Sequence, residues 1–261
     1  MQGTGPAVAD DLGLPVLLPA EIRRVVSLVP SLTEAVAVTG RRLLAGATTW
    51  CSHPPDLQAE RVGGTKNPDV ARVVALSPDL VLANEEENRE ADLSALRAVG
   101  VPVWVTRVRS LPEALASLHR MLTIACRLPR PAWLDAAAAA WEQRPEGPER
   151  TAVVPIWRRP WMVLGRDTFA GDLLARLGVV NLYGGHEDRY PRIGLAELQG
   201  APADLVVLPD EPYRFSETDG PESFPGVPAA LVSGRHLTWY GPSLAEAPAV
   251  LGWQLQQSVA R

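Results

Sequence analysis

Apolar runs alternate with amphipathic stretches along most of the chain. The first run, in "RRVVSLVPS", stops at Pro30 and leads into the helical pattern "LTEAVAVTG", which ends at Gly40. Ser31 and Thr33 stand at the point where a helix would begin, and a glycine commonly ends one. The opening therefore predicts a buried strand followed by a capped helix.

The same alternation continues down the chain. "DVARVVALSP" has a helical pattern, Leu80–Ala83 is a short apolar run, "ADLSALRAVG" is again helical, and "VPVWVT" is again apolar. Continuous apolar strands separated by helices are typical of a parallel sheet covered on both faces. We therefore predict an α/β fold.

The second half of the chain repeats the first. "TAVVPIW" reaches Pro155 as "VVSLVPS" reaches Pro30, and the motif around Asp204 matches the one around Asp79. Both pairs are 125 positions apart, as the residue numbers show. A duplication of one α/β unit predicts two Rossmann-like lobes.

A helical stretch interrupted by Pro129 and Pro131 separates the two repeats. It predicts one helix that finishes the first lobe and a second, of about 14 residues (~21 Å), that crosses to the other lobe. The predicted organisation is a flexible segment 1–20, an N-terminal lobe 21–110, a helical connector 111–149 and a C-terminal lobe 150–261.

Composition narrows the class of protein. The 261 residues carry a formal net charge of −5 with no run of basic residues, which argues against nucleic acid and against an anionic membrane surface. Asp10 and Asp11 lie where a secretory leader would be basic and apolar, so the sequence predicts a cytoplasmic protein. Cys51 and Cys126 are then expected to be free thiols.

Ligands in open parallel sheets bind beyond the carboxyl ends of the strands, so a cleft between the two lobes is the predicted site. The strand-end loops are rich in aromatic side chains, which offer large contact areas to a flat ligand at low entropic cost. Packing within the protein is the alternative role for each of these rings. The candidate ligand-binding residues are Trp50, His53, Lys66, Asn67, Glu86, Asn88, Trp157, Trp161, Arg189, Tyr190, Glu211, Tyr213, Trp239 and Tyr240.

Three candidates are singled out, two by their positions and one by its residue type. Glu86 and Glu211 are 125 positions apart, so the duplication pairs them as carboxylates for a cation or for ligand hydrogen bonds. The alternative is that they belong to solvated acidic loops. Lys66 is the only lysine of the chain, and it is either a ligand contact or a surface residue in an arginine-biased sequence.

Enzyme and metal signatures are weak. The pair Cys51 and His53 has C-x-H spacing, but the other histidines are scattered, so no metal site is predicted, although His53 could touch the metal of a bound complex. No nucleophile elbow, phosphate-binding loop or dinucleotide fingerprint is present. We predict no catalytic residue and no required cofactor, and acid–base chemistry by Glu86 and Glu211 stays an alternative.

Several of these segments together resemble a known family, the helical-backbone class (class III) of substrate-binding proteins, and within it the cobalamin-receptor-like branch. They are "RVVSLVPSLTEAVAVTG", "TWCSHPP", "VGGTKNPDVARVVALSPDLVLANEEENR", "IWRRPWMVLGRDTFAGDLLARLG" and "DEPYRFSE" with "LTWYGP". The resemblance implies two lobes joined by a rigid helix and a flat macrocycle or metal chelate, such as cobalamin, held between aromatic and polar loops. It also implies a place for Lys66 at the rim of the binding site.

The sequence departs from that family in two ways. Family members that serve a membrane permease carry an export signal, which the pattern of this sequence does not predict. They also carry a docking glutamate on each lobe, whereas Ala71 and Ala196 stand at the corresponding positions here. The main interpretation is an intracellular, non-catalytic binding protein for a corrinoid or another metal chelate, with permease docking in doubt. The alternatives are a transporter receptor for cobalamin, iron–siderophore or haem whose start is misplaced, and a metal-dependent enzyme.

Overall fold

The computed structural model of the protein describes residues 4–143 and 147–258. Residues 1–3 of the predicted flexible segment, 144–146 of the predicted connector and 259–261 of the predicted C-terminal lobe lie outside the described residues. The chain forms two compact units. Of the described residues, unit 1 contains 4–107, 113–134 and 240–242, and unit 2 contains 108–112, 135–143, 147–239 and 243–258.

Unit 1 is built mainly from the first half of the chain. Its strands are β1 (Thr4–Ala9), β2 (Pro15–Pro19), β3 (Val25–Ser27), β4 (Leu44–Ala47), β5 (Glu60–Arg61), β6 (Leu80–Asn84) and β7 (Val103–Thr106). Its helices are α1 (Pro30–Gly40), α2 (Val70–Ala75), α3 (Glu90–Ala98) and most of α4 (Leu111–Arg120), with a 3-10 turn at Arg41–Leu43. These bounds confirm the strands and helices predicted around Pro30, Leu80 and "VPVWVT". The predicted side-chain cap of α1 is wrong, because Val29 takes the N-cap position and the Thr33 hydroxyl donates to the Val29 carbonyl at 2.9 Å.

The central sheet of unit 1 has five parallel strands in the order β5-β4-β3-β6-β7. Every residue of β3, β6 and β7 is buried, because helices cover both faces of a parallel sheet. The core joins Val26, Val81 and Val105 of the strands with Leu93 and Leu96 of α3. The carboxyl ends of all five strands therefore lie at one edge of this unit.

The N-terminal segment differs from its prediction. We expected residues 1–20 to be flexible, but β1 and β2 form an antiparallel hairpin whose Leu18 is buried. At its turn the Asp10 carboxylate accepts a hydrogen bond from the Val105 N–H, and the Asp11 carboxylate pairs with Arg120 at 2.5 Å. The acidic turn thus covers the free edge of β7, a long-range pairing that a local pattern does not reveal.

The predicted connector also takes a different form. After α4 the chain forms a π-helical turn at Met121–Ala125, and then α5 (Ala132–Ala140) begins in unit 1 and ends in unit 2. A helix that passes from one unit to the next is confirmed, but it has 9 residues instead of the expected 14 or so. Most of α4 belongs to unit 1, so the connector predicted at 111–149 is divided between the units.

Unit 2 repeats the architecture. Its strands are β8 (Arg150–Val153), β9 (Pro155–Arg158), β10 (Trp161–Val163), β11 (Val179–Asn181), β12 (Leu205–Pro209) and β13 (Ala229–Val232). Its helices are α6 (Phe169–Arg176), α7 (Leu195–Gly200), α8 (Gly234–Thr238) and α9 (Ala247–Gln256), with 3-10 turns at Pro221–Ser223 and Pro242–Ala245. The parallel sheet has the order β11-β8-β12-β13, and β9 and β10 form a separate antiparallel hairpin.

The two sheets share one strand order. β4-β3-β6-β7 in unit 1 corresponds to β11-β8-β12-β13 in unit 2, and β3 and β8 begin 125 positions apart, as do β6 and β12. The duplication predicted from the sequence is thus visible in the topology. Within the described residues, no helix is both long enough and apolar enough to cross a membrane.

Candidate functional site

The carboxyl edge of the unit 1 sheet gathers half of the candidate residues. Trp50 and His53 follow β4, Lys66 and Asn67 follow β5, and Glu86 and Asn88 follow β6. Tyr240 reaches the end of β7, where its hydroxyl lies 3.1 Å from the Thr106 hydroxyl. Burial raises the pKa of the Tyr240 phenol, so this side chain is neutral and its hydroxyl contacts another residue of the protein.

The lysine lies at the tip of a closed loop. Gly63 has a positive φ of 88° and pairs with Pro68, and the Asp69 N–H returns to the Val62 carbonyl at 2.8 Å. This geometry leaves the side chains of Lys66 and Asn67 exposed. The Lys66 ammonium donates a hydrogen bond to the Glu86 carbonyl, so it joins two strand-end loops.

Two asparagines hold the acidic loop that follows β6. Asn84 accepts hydrogen bonds from the N–H groups of Glu86 at 2.8 Å and Glu87 at 3.2 Å, and its amide donates to the Thr106 carbonyl at 3.0 Å. Asn88 accepts from the Asn84 N–H at 2.9 Å. Both asparagines are buried, whereas Glu86 remains partly exposed.

Trp50 offers the most exposed aromatic surface of this edge. Its side chain is 68% exposed, and Gly64 lies against the indole, since a Cβ at Gly64 would be 3.5 Å from its nitrogen. An exposed ring beside a polar loop is suited to stacking on a flat ligand.

The Cys51 and His53 pair does not form a metal site in the structure. The Cys51 thiol is buried, lies 3.1 Å from the Thr33 hydroxyl, and has a pKa raised by that burial. His53 Nδ1 lies 3.0 Å from the Ser52 hydroxyl. Across 4–143 and 147–258, no group of three or more His, Cys, Asp or Glu side chains is arranged to hold a metal ion. Cys51 and Cys126 are both free, as predicted.

In unit 2, the hairpin β9–β10 and the loop after β12 bring aromatic candidates together. The rings of Trp157 and Tyr213 meet edge to face with centroids 5.6 Å apart, and the Tyr213 hydroxyl donates to Asp219 at 2.6 Å. Trp157 is 42% exposed. It is therefore a second ring that a ligand can reach.

Trp161 has a different environment. It stacks on Phe215 with centroids 6.1 Å apart and meets Phe224 edge to face at 5.5 Å. The Arg158 guanidinium covers the same ring at 5.5 Å and pairs with Glu222 at 2.5 Å. Trp161 is thus half-buried and packs against the hydrophobic core of unit 2, as the packing alternative expects.

Glu211 and Trp239 are brought together at the end of β12. The Trp239 indole donates to the Glu211 carboxylate at 2.9 Å, and Trp239 is buried. Gly234 allows this approach, because a Cβ there would lie 2.5 Å from the Glu211 Cβ and 2.6 Å from its backbone nitrogen. The Glu211 carboxylate is therefore engaged by the protein itself.

The last two candidates lie on the loop after β11. Arg189 donates from Nε to the Asp167 carbonyl at 2.9 Å, and its guanidinium lies 5.6 Å from the Tyr190 ring centroid. Both side chains are half-buried. The two side chains thus form a cation–π pair.

The two alanines at the positions where the family resemblance implies docking glutamates are equivalent in the two units. Ala71 and Ala196 are each the second residue of a short helix, α2 and α7, and both are exposed. The Asp69 carboxylate accepts from the Arg72 N–H at 2.9 Å and caps α2, whereas the exposed Glu197 follows Ala196 directly.

A family model described as periplasmic binding protein matches residues 25–222. The chain belongs to this family. A vitamin B12-binding protein of Pectobacterium carotovorum is 24% identical over 207 residues, which are 74% of each chain. One of Pectobacterium atrosepticum is 33% identical over 104 residues, covering 39% of this chain and 37% of that protein.

Solved structures of periplasmic binding proteins share the fold. The periplasmic vitamin B12-binding protein of Vibrio cholerae has a TM-score of 0.67 at 16% identity and covers 90% of this chain and 97% of its own. A periplasmic haem-binding protein of Roseiflexus has a TM-score of 0.72 at 19% identity, with coverage of 90% and 98%. These likenesses confirm the two-lobe α/β fold of the class III substrate-binding proteins that the sequence resembles.

Two residues of these loops were not singled out from the sequence. Asn84 is signalled by its place at a strand end, two residues before Glu86, where an asparagine commonly accepts hydrogen bonds from the following N–H groups. Arg158 gave no such signal, because its partners Asp219 and Glu222 lie more than 60 positions away.

Proposed function

We propose that this protein is a non-catalytic substrate-binding receptor for a corrinoid or another flat metal chelate. The observation that carries the proposal is the pair of accessible tryptophans, Trp50 in unit 1 and Trp157 in unit 2, each on a strand-end loop of a periplasmic binding protein. Exposed rings beside polar loops suit a ligand with a large flat face and polar substituents.

The proposed contacts are divided between the two units. Trp50, His53, Lys66, Asn67 and Glu86 contribute from unit 1, and Trp157, Arg189, Tyr190 and Tyr213 contribute from unit 2. Trp161, Glu211, Trp239 and Tyr240 support these loops through the contacts described above.

The relatives support the receptor interpretation more than the intracellular one. Their names describe vitamin B12-binding and periplasmic haem-binding proteins, so we favour a receptor that serves a membrane transporter outside the cytoplasm. Cytoplasmic placement stays a prediction from the sequence.

The proposal includes docking of this protein to a membrane permease. Alanines at 71 and 196 remove the charge expected at those positions, so docking would rely on neighbours such as the exposed Glu197. Transport of cyanocobalamin by cells that produce this protein together with the permease of the same genome would test it.

A tryptophan-fluorescence titration tests ligand binding. Purified protein is titrated with cyanocobalamin, hemin and ferrichrome, with correction for inner-filter absorbance, and the titration is repeated with Trp50→Ala, Trp157→Ala and the exposed control Trp253→Ala. We expect saturable 1:1 quenching by one ligand at micromolar concentration or below, weakened at least tenfold by the first two variants and unchanged by the third. Absence of saturable binding to all three would contradict the proposal.

A further inference from the structure

Asn84 and Asn88 are two buried amides outside any hydrophobic cluster, 5% and 6% exposed. They lie four positions apart at the carboxyl end of β6 and bracket the acidic loop Glu85–Glu87. The Asn84 N–H donates to Asn88 Oδ1 at 2.9 Å, and the Asn88 N–H donates to the Asn84 carbonyl at 3.1 Å. The loop is thus closed by a reciprocal pair of hydrogen bonds.

The Asn84 side chain orders the loop from inside. Its oxygen accepts from the N–H groups of Glu86 and Glu87, at 2.8 and 3.2 Å. Its nitrogen donates to the carbonyl and the hydroxyl oxygen of Thr106 on β7, at 3.0 and 3.3 Å. The backbone of the acidic loop is therefore anchored to the neighbouring strand.

The Asn88 side chain connects this loop to two others. Its nitrogen donates to the Thr65 carbonyl at 2.9 Å and to the Leu28 carbonyl at 3.3 Å. Thr65 precedes Lys66, whose ammonium in turn contacts the Glu86 carbonyl. Three strand-end loops therefore meet at one amide.

An asparagine side-chain nitrogen carries two N–H groups. The nitrogens of Asn84 and Asn88 each have two acceptor oxygens within hydrogen-bond distance, so both N–H groups of each amide are used within the protein. A ligand would have to break one of these bonds to gain a donor from Asn88. The role predicted for Asn88 as a ligand contact thus gives way to an indirect one.

We propose that Asn84 and Asn88 are positioning residues that hold the loops carrying Glu86 and Lys66 in their ligand-binding conformation before the ligand arrives. A preformed loop lowers the entropic cost of binding, whereas a loop that must order on binding spends part of the interaction energy on that step. This inference rests on the proposed function for its effect on affinity, but the preformed loop itself is a property of the free protein.

The test compares wild-type protein with Asn88→Ala and with Ser94→Ala, a matched change that removes one surface hydrogen bond from α3. Hydrogen exchange of the Glu85–Asn88 segment is measured in the free proteins, and cyanocobalamin and hemin affinities are measured by calorimetry. We expect slow exchange in wild type and Ser94→Ala and exchange at least tenfold faster in Asn88→Ala. If the free variant is unstable, Asn88→Ser, which keeps one donor, replaces it.

The binding data separate positioning from a general loss of structure. For Asn88→Ala we expect about tenfold weaker binding with a more unfavourable binding entropy, and a segment whose protection returns when the ligand is bound. Unchanged exchange and affinity in Asn88→Ala would overturn the inference. If wild type binds neither probe, the proposed function fails for these ligands, and exchange in the free proteins still decides whether the asparagines order the loop.

Discussion

The loop after β6 in unit 1 and the loop after β12 in unit 2 descend from the same part of the duplicated plan but are held by different chemistry. Neutral amides, Asn84 and Asn88, satisfy the backbone of the first loop. In the second, Pro209 and Tyr213 stand at the corresponding positions, and the Glu211 carboxylate is held by the Trp239 indole.

The two paired glutamates, Glu86 and Glu211, therefore make their hydrogen bonds through different groups. Glu86 takes part through its backbone, since its N–H binds Asn84 and its carbonyl accepts from Lys66. Glu211 takes part through its side chain. A common position in a repeat therefore predicts where a residue lies but not which of its groups is engaged.

Substitution of a glycine beside one of the two loops is expected to give the largest effect on stability. Gly234→Ala would place a Cβ within 2.9 Å of three atoms of Glu211, two of them in the backbone. We expect a loss of about 3 kcal/mol in the free energy of unfolding, because backbone cannot move aside as a side chain can. Denaturant unfolding of purified protein measures it.

Gly64→Ala in unit 1 is the matched change. Its Cβ would meet the end of the Asn67 side chain at 2.4 Å, which can rotate away, so the expected loss is below about 1 kcal/mol. Equal losses for the two variants would contradict the difference between a backbone contact at Gly234 and a side-chain contact at Gly64.

The Trp239 indole gives an intermediate effect. Trp239→Phe removes the donor to the Glu211 carboxylate while keeping an aromatic ring in the buried site. We expect a loss of about 2 kcal/mol in the free energy of unfolding, typical of a hydrogen bond to a charged group. Trp253→Phe, at a residue that is 62% exposed, is the control and should be neutral. A neutral Trp239→Phe would mean that the bond contributes nothing.

The smallest expected effect is a difference between the two regions in their loss of stability at acid pH. Burial alone would raise the pKa of Glu222, but the Gly220 N–H and Arg158 bind the carboxylate and leave the pKa below its ordinary value. Its contribution to stability is therefore present above the ordinary pKa of about 4.3 and is lost as the pH falls through the lowered value.

Exchange protection of 211–224, measured from pH 6 down to pH 3 and corrected for intrinsic rates, should fall before that of the amide-held loop around Asn84. Glu222→Gln should remove the part of that fall that belongs to this carboxyl. A parallel decline in both regions would contradict a difference in their chemistry.

The sequence alone determined the fold and the repeat. Helix and strand signals are local, so the elements around Pro30 and Leu80 and the strand of "VPVWVT" could be predicted from periodicity and from proline and glycine, and the 125-residue offset predicted the common strand order. Loops at the carboxyl ends of parallel strands follow from the same pattern.

Only the tertiary structure decided which candidate side chains are accessible and how they are engaged. Trp50 and Trp161 look alike in sequence, yet one is exposed and the other packs against Phe215 and Phe224. The acidic N-terminal turn and the partners of Arg158 depend on contacts between positions far apart in the chain. Burial and hydrogen bonding belong to the assembled neighbourhood of a residue, and a local pattern contains no information about that neighbourhood.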